Sequence, residues 1–423
     1  MEQYLPRVSD KILNKHLASK GAVLIEGPKW CGKTTTAMRI AKSTLFMNRP
    51  GFMNQYRELA AIDPSVLLDG DVPRLIDEWQ LAPTLWDAVR YEVDQRKDFG
   101  QFILTGSAVP TSLDSGSHTG TGRIVRMMMR PMSLFESQDS DGQVSLNHLF
   151  QAGKISAQNH HSLSDIAYFV CRGGWPKAIG YPEAIALQQA YDYFDAIIND
   201  DISRVDEVQR DKEYAKRLLR SYARNIGTQA SLELIRLDTI GGQIDTFSQN
   251  TLYSYLSALR KIFVLEDAPA WNPNLRSKTA IRTSDTHYLI DSSIAVAALG
   301  VGPEDLIQDL KTFGFLFENL CVRDLRIYSE VLGGNVYHFR DKSGLECDAV
   351  VHLRNGEYGL IEIKLGGDKL IDEGAKTLKK LAQGIDSDRM KRPAFLLVLT
   401  GVAPFAYQRG DGVYVVPIGS LAP

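Results

Sequence analysis

Between Gly21 and Phe135, short apolar runs alternate with segments of helical period: "AVLIEG", "TTTAMRIAKS", "VPRLIDEW", "TLWDAVRYEVDQR" and "QFILTGSA" follow one another. Apolar strands separated by helices predict a parallel sheet with helices packed over it. The Gly-, Ser- and Thr-rich "LDSGSHTGTGR", Leu113 to Arg123, reads as a loop. The polar stretch from Glu136 to Ser162 then reads as either a surface insert or a domain boundary. From Ile166 to about Asp201, and again from Asp211 to Asp267, the apolar period is helical, with "NIGTQAS" and "GGQIDTFSQN" as breaks. After Phe313 a helix "FLFENLCVRDLRIYSEV" precedes the strand-like "NVYHFRD", "LECDAVVHLR" and "EYGLIEIKL", a helix near Ala375 to Gln383, and the strands "AFLLVLT" and "VYVVPI". The expected division is an α/β domain over 1–140, a helical connector over 141–205, a compact helical domain over 206–300 and a second α/β domain over 301–423.

Composition narrows the function classes. The 423 residues include 48 Lys plus Arg against 51 Asp plus Glu, so any contact with nucleic acid must come from local patches and not from a global field. The four cysteines, Cys31, Cys171, Cys321 and Cys347, lie far apart and form no CxxC pair, which disfavours both disulfides and a cysteine metal site. The first residues contain no apolar leader core, and no run of about 18 apolar residues occurs. The expectation is a soluble cytoplasmic protein without a membrane partner.

The most specific chemistry is near the start. Gly27-Pro28-Lys29-Trp30-Cys31-Gly32-Lys33-Thr34 follows an apolar strand and opens a helix, satisfying G-x-x-x-x-G-K-[ST] in its required context; Thr35 follows. Such a loop aims backbone N–H groups and a helix N-terminus at phosphates. Lys33 is expected at the β- and γ-phosphate oxygens of ATP and the Thr34 hydroxyl at Mg²⁺. In "LIDEWQ", Asp77 is expected to hold Mg²⁺ through water and Glu78 to orient or deprotonate the attacking water. "QFILTGSA" ends in Thr105 and Ser107, either of which could bond the γ-phosphate or the water.

Together these residues resemble an AAA-type P-loop ATPase: "IEGPKWCGKT" is similar to its Walker A, "LIDEWQ" to its Walker B and "FILTGSA" to its sensor-1 strand. "HTGTGRIVRMMMRPMSLFE" resembles the prokaryotic ATPases of this type that carry an uncharacterised C-terminal domain. That resemblance implies that Arg123 contacts phosphate charge, within a subunit or across the interface of a homo-oligomer, with Arg126 and Arg130 competing for the role. "CRGGWPKAIGYP" resembles the same family's Gly-Gly-aromatic-Pro turn and is read as structural.

The middle of the chain has the outline of a winged helix, which the resemblance also implies. Thr251, Tyr255 and Arg260 are expected on a recognition helix, beside a basic stretch of Arg210, Lys212, Lys216, Arg217, Arg220 and Arg224 and a second basic run, Arg276 to Arg282. DNA contact through these patches and docking of a protein partner both remain open.

Near the C-terminus, Asp348 opens one strand and Glu362 and Lys364 lie two apart on the next, so the latter pair shares a face. Two carboxylates beside a lysine could hold Mg²⁺ against a phosphodiester, with Glu318 as a further acid. The charged face is expected to line a site, because Ile361, Ile363 and Leu365 turn the other face to the core. Glu318, Asp348, Glu362 and Lys364 resemble the restriction-endonuclease-like PD-(D/E)xK set, with Cys347 where that family has its leading proline. The expected protein is an ATP- and Mg²⁺-dependent ATPase coupled to a DNA-associated module with metal-dependent nuclease chemistry. The alternative is a nucleotide-dependent switch that binds a protein partner through an inert nuclease-like domain.

Overall fold

The computed structural model describes residues 4–107, 120–241, 247–274 and 282–423. Most of the loop from Leu113 and the basic run from Arg276, Arg282 excepted, lie outside the described residues.

Strands β1 (Ala22–Glu26), β2 (Ser43–Phe46), β3 (Arg74–Asp77), β4 (Phe102–Gly106) and β5 (Ile124–Met128) form a parallel sheet in the order β2-β3-β4-β1-β5. Alternate β1 residues enter different cores. Val23 and Ile25 pack with Ile12, Leu13, Leu17, Leu75 and Ile103; Ala22 and Leu24 pack with Ile76, Phe102, Leu104 and Trp86. Burial on both faces explains why these strands read as nearly unbroken apolar runs. Thr105 is in register with both Ile25 and Asp77, so β1, β3 and β4 end together. Open α/β sheets bind ligands beyond this carboxyl edge.

The middle of the chain is helical. Helices Lys212–Arg224, Leu232–Ile240 and Gln249–Lys261 begin where Asp211, Ser231 and Ser248 accept the backbone N–H groups of Tyr214, Leu234 and Thr251. Each cap satisfies a donor that the first helical turn leaves free, worth ~1 kcal/mol. A short antiparallel ribbon follows, bridged at Leu265 with Leu289 and at Ala268 with Thr286, and helix Ser292–Leu299 closes the region.

The 22-residue helix Leu310–Val331 leads into the second sheet. β6 (Val144–Ser145) and β7 (Ala157–Gln158) come from the polar stretch after the first domain. β8 (Gly334–Arg340), β9 (Glu346–Leu353) and β10 (Tyr358–Lys364) are antiparallel neighbours; β11 (Phe395–Thr400) runs parallel to β10, reached through helix Asp368–Gly384. β12 (Phe405–Gln408) and β13 (Tyr414–Pro417) extend the sheet, and β14 (Leu421–Ala422) pairs with β6.

The polar stretch is therefore more than a surface insert, since β7 pairs with β12 and β6 with β14. One continuous core joins Leu134, Leu146, Ile166, Leu218, Leu256, Leu316, Ile361 and Leu421. The helical middle and the C-terminal sheet thus share packing along the helix Leu310–Val331. No helix among the described residues is long and apolar enough to cross a membrane.

Candidate functional site

The loop from Gly27 to Thr34 spans the end of β1 and the start of the short helix Lys33–Met38. Gly27 has φ +150°, and a Cβ there would lie 2.1 Å from the Met129 carbonyl oxygen, so only glycine lets the loop pass β5. Gly32 is left-handed at φ 101°. Lys33 is buried and donates from Nζ to the carbonyls of Gly27 at 2.9 Å and Pro28 at 2.7 Å, folded back across its own loop. Cys31 is fully buried with Sγ directed at the Met129 carbonyl, so it serves the loop only through its backbone. Thr35 is exposed.

Asp77 ends β3 and is where the separate motifs meet. Its Oδ1 accepts from Thr34 Oγ1 at 2.7 Å and from Thr105 Oγ1 at 2.6 Å. A buried carboxylate beside a threonine hydroxyl is a hard oxygen donor set that fits Mg²⁺. Glu78 follows in the left-handed region at φ 56° and accepts from Gln80 Nε2. Burial, then the adjacent Asp77, pushes its carboxyl above the ordinary glutamate value, the direction that favours a general base. Ser107 is buried just beyond the end of β4.

Three residues outside the motif, Arg7, Asp201 and Tyr193, hold the loop in place. Arg7, buried ahead of the first helix, donates to the Cys31 carbonyl at 2.8 Å, the Arg130 carbonyl at 2.8 Å and Glu136 Oε1 at 3.0 Å. Lys29 reaches into the helical middle to pair with Asp201, and Trp30 lies 5.4 Å from the Tyr193 ring. Their partners are far away in sequence, so no local spacing announced them.

The arginines are placed differently from expectation. Arg123 immediately precedes β5 and pairs with Asp94 at 2.6 Å. Because Ala22 is in register with Ile124, Arg123 sits at the edge opposite the phosphate loop, roughly 20 Å away at ~3.3 Å per strand residue. It does not reach its own subunit's loop. Arg126 pairs with Glu26, and Arg130 is tied to Glu266 and Glu330.

In the helical middle, Tyr255 is buried with its hydroxyl accepting from Asp211 N at 2.8 Å, so it presents no surface for reading bases. The spacing of Leu252, Tyr255, Leu256 and Leu259 is that of a core stripe. Thr251 is engaged with the Ser248 cap and Arg260 with Asp267. Arg210 is buried against Asp206 and Ser254. Lys216 and Arg220 are exposed.

The C-terminal residues do converge. Continuing the antiparallel register beyond Ile361 and Ala349 sets Glu362 opposite Asp348. Lys364 Nζ lies 2.7 Å from Glu362 Oε2 and 3.1 Å from Asp348 Oδ2, which also accepts the Ile363 backbone N–H at 2.7 Å. The charged face is partly covered, most of all at Glu362. Gly374 of helix Asp368–Gly384 lies against it, Glu362 is 4% exposed, and its Oε1 has no hydrogen-bond partner. Burial, reinforced by Asp348, pushes the Glu362 carboxyl up to about 8; burial and Asp348 also raise Glu318 well above its ordinary range. The orphaned carboxylate oxygen suits a cation. Among the described residues, however, no group of three acids or other ligating side chains is already drawn together for one, and Lys364 bridges the two acids instead.

Residues 19–138 match the family model described as an AAA domain, and residues 163–305 and 313–421 match two domains of unknown function, DUF8612 and DUF4143. The chain is 23% identical over 355 residues to the uncharacterized proteins Rv2008c of Mycobacterium tuberculosis and Mb2031c of Mycobacterium bovis, covering 83% of this chain and 72% of each relative. Among solved structures it is similar to a Thermotoga maritima RuvB variant at 16% identity and TM-score 0.27, over 62% of this chain and 88% of that one. It is also similar to the Pyrococcus furiosus Hef helicase domain at 10% identity and TM-score 0.21, over 99% and 95%. Such low scores carry no weight for the fold. The AAA match spans the phosphate loop, Asp77 and Thr105, and supports a nucleotide-dependent ATPase.

Proposed function

We propose that the chain is a Mg²⁺-dependent ATP hydrolase whose nucleotide cycle acts on a DNA-associated module formed by the helical middle and the C-terminal sheet. One observation carries the ATPase reading: the hydroxyls of Thr34 and Thr105 meet on Asp77 Oδ1, next to Glu78. Backbone N–H groups from Gly27 to Thr34 would cradle the phosphates. Lys33 would leave the Gly27 and Pro28 carbonyls for the β- and γ-phosphate oxygens. Thr34 and Asp77 would hold Mg²⁺, which supplies charge neutralisation on the phosphates. Glu78 would orient the lytic water and take its proton, with Thr105 or Ser107 bonding that water or the γ-phosphate. Arg123 would act on a neighbouring copy's nucleotide in a homo-oligomer. Phosphate release from ATP by wild type and Lys33→Ala tests the reading: the variant should lose it, and equal release would sink the assignment.

For the remainder of the chain, three helices followed by an antiparallel ribbon support a winged-helix-like DNA contact, with Lys216 and Arg220 as phosphate partners. The helix–β8–β9–β10–helix–β11 order and the Asp348, Glu362, Lys364 and Glu318 group support a metal-dependent nuclease of restriction-endonuclease-like fold. There Asp348, Glu362 and Glu318 would hold Mg²⁺ and Lys364 would stabilise charge on the phosphodiester. The second reading, a nucleotide switch docking a protein partner through an inert nuclease-like domain, is favoured by Lys364 bridging both acids.

A further inference from the structure

Glu318 belongs to the helix Leu310–Val331, yet the groups around its carboxylate come largely from the helical middle. Tyr288, on the ribbon, donates its phenolic hydroxyl to Glu318 Oε1 and is 1% exposed. The ribbon is pinned there by backbone pairing: Glu266 N donates to the Tyr288 carbonyl at 3.0 Å. Asn319, the residue after Glu318, grips Leu289 on both sides, accepting its N–H and donating to its carbonyl, each at 2.9 Å. On the remaining side the turn at Gly227 closes over the same carboxylate. Gly227 has φ +69°, and a Cβ there would come within 3.1 Å of Glu318 Oε1. Its N–H is held by the His287 carbonyl, one residue before Tyr288, at 3.0 Å. Glu318 lies within electrostatic reach of Asp348, Glu362 and Lys364.

We infer that Tyr288 is a positioning residue of the carboxylate cluster: it holds Glu318 toward Asp348 and Glu362, so the cluster is complete only with the helical middle docked on the C-terminal sheet. A tyrosine serving only to satisfy a buried acid would not need a neighbouring side chain to clamp its own strand, nor a glycine turn fitted against the same carboxylate. The arrangement gives the middle of the chain, which also contacts the phosphate loop through Asp201 and Tyr193, a direct hold on one acid of the distant cluster. Movement of the ribbon would release Glu318. The inference rests on the cation-binding reading of the cluster.

The test is Mn²⁺ binding to the full chain without nucleotide, followed by calorimetry or by loss of the free-ion electron paramagnetic resonance signal, with Asp348→Asn confirming which site is observed. Tyr288→Phe keeps the ring and removes only the donor. It should weaken Mn²⁺ binding ~10–100-fold, the usual cost of losing a residue that orients a ligand. Glu318→Gln should do at least as much, and the Tyr288→Phe/Glu318→Gln double variant no more than Glu318→Gln. Gly227→Ala, which leaves Tyr288 intact but crowds the same carboxylate, should also weaken binding. If wild type binds no Mn²⁺ that Asp348→Asn abolishes, the cation reading falls and takes the inference with it. Where wild type binds and a folded Tyr288→Phe binds equally well, the inference alone is overturned. Should Tyr288→Phe not fold, Gly227→Ala decides, and unchanged affinity there overturns the inference.

Discussion

Lys29, inside the phosphate loop, lies 2.5 Å from Asp201 Oδ1 in the helical middle. The pair commits the Lys29 ammonium to a carboxylate outside the loop, and Trp30 lies against Tyr193. Asp201→Asn frees Lys29 to approach nucleotide phosphates, so ATP affinity should rise by up to about fivefold, the worth of a partly exposed ion pair of ~1 kcal/mol. Titration with a fluorescent ATP analogue reads this directly, and weaker binding in the variant would contradict the role given to the pair.

Arg7 supports the loop from below. Its side chain and that of Glu136 are almost wholly enclosed, so Arg7→Ala leaves a buried carboxylate without its cation and two carbonyls without a donor. The expected loss is ~3–5 kcal/mol of stability, as for other broken buried pairs. Chemical denaturation measures it; a loss within experimental error would mean that the loop needs no such support.

Stability should also depend on pH through Glu362. Its folded pKa of about 8 exceeds the ordinary value of 4.5, so over that interval the folded state retains a proton that the unfolded state releases. That contribution is complete below the ordinary glutamate value and is lost as pH rises through about 8. Relative to Glu362→Gln, wild type should therefore lose melting temperature as pH rises from about 4.5 to about 8 and then level off. Parallel melting curves for the two proteins would remove Glu362 as the cause.

If the C-terminal cluster acts on nucleic acid, Mg²⁺- or Mn²⁺-dependent nicking of DNA should vanish in Asp348→Ala and Lys364→Ala while ATP hydrolysis persists. Both single- and double-stranded substrates should be offered, with ATP present. Intact DNA throughout in wild type leaves the ATPase standing and favours the switch that docks a protein partner.

Much of the nucleotide site was legible because its signals are local. Gly27 to Thr34 is one loop, and Asp77 and Thr105 each end an apolar strand, so parallel packing of β1, β3 and β4 was enough to bring them together. Glu362 and Lys364 were legible for the same reason, through the two-residue period of a strand. The burial of Glu362 was not, because the helix Asp368–Gly384 that covers it adds no mark to the strand itself. Arg7, Asp201 and Tyr288 escaped notice since each finds its partner across the fold. Tyr255 was misplaced although its helix carried the answer: the apolar stripe it shares with Leu252, Leu256 and Leu259 points inward. Which of the two roles open to Arg123 its position allows was not legible, because a sequence motif gives the strand but not which end of the sheet its first residue occupies.

The central claim is that Asp77 and Glu78 complete a hydrolytic site around the phosphate loop. Single-turnover hydrolysis of ATP by Glu78→Gln, with binding measured on the same preparation, tests it most directly. The account predicts that the variant binds ATP as tightly as wild type while hydrolysing it ~10²–10⁴-fold more slowly, the usual share of a general base. Hydrolysis at the wild-type rate by a folded, ATP-bound Glu78→Gln would contradict it.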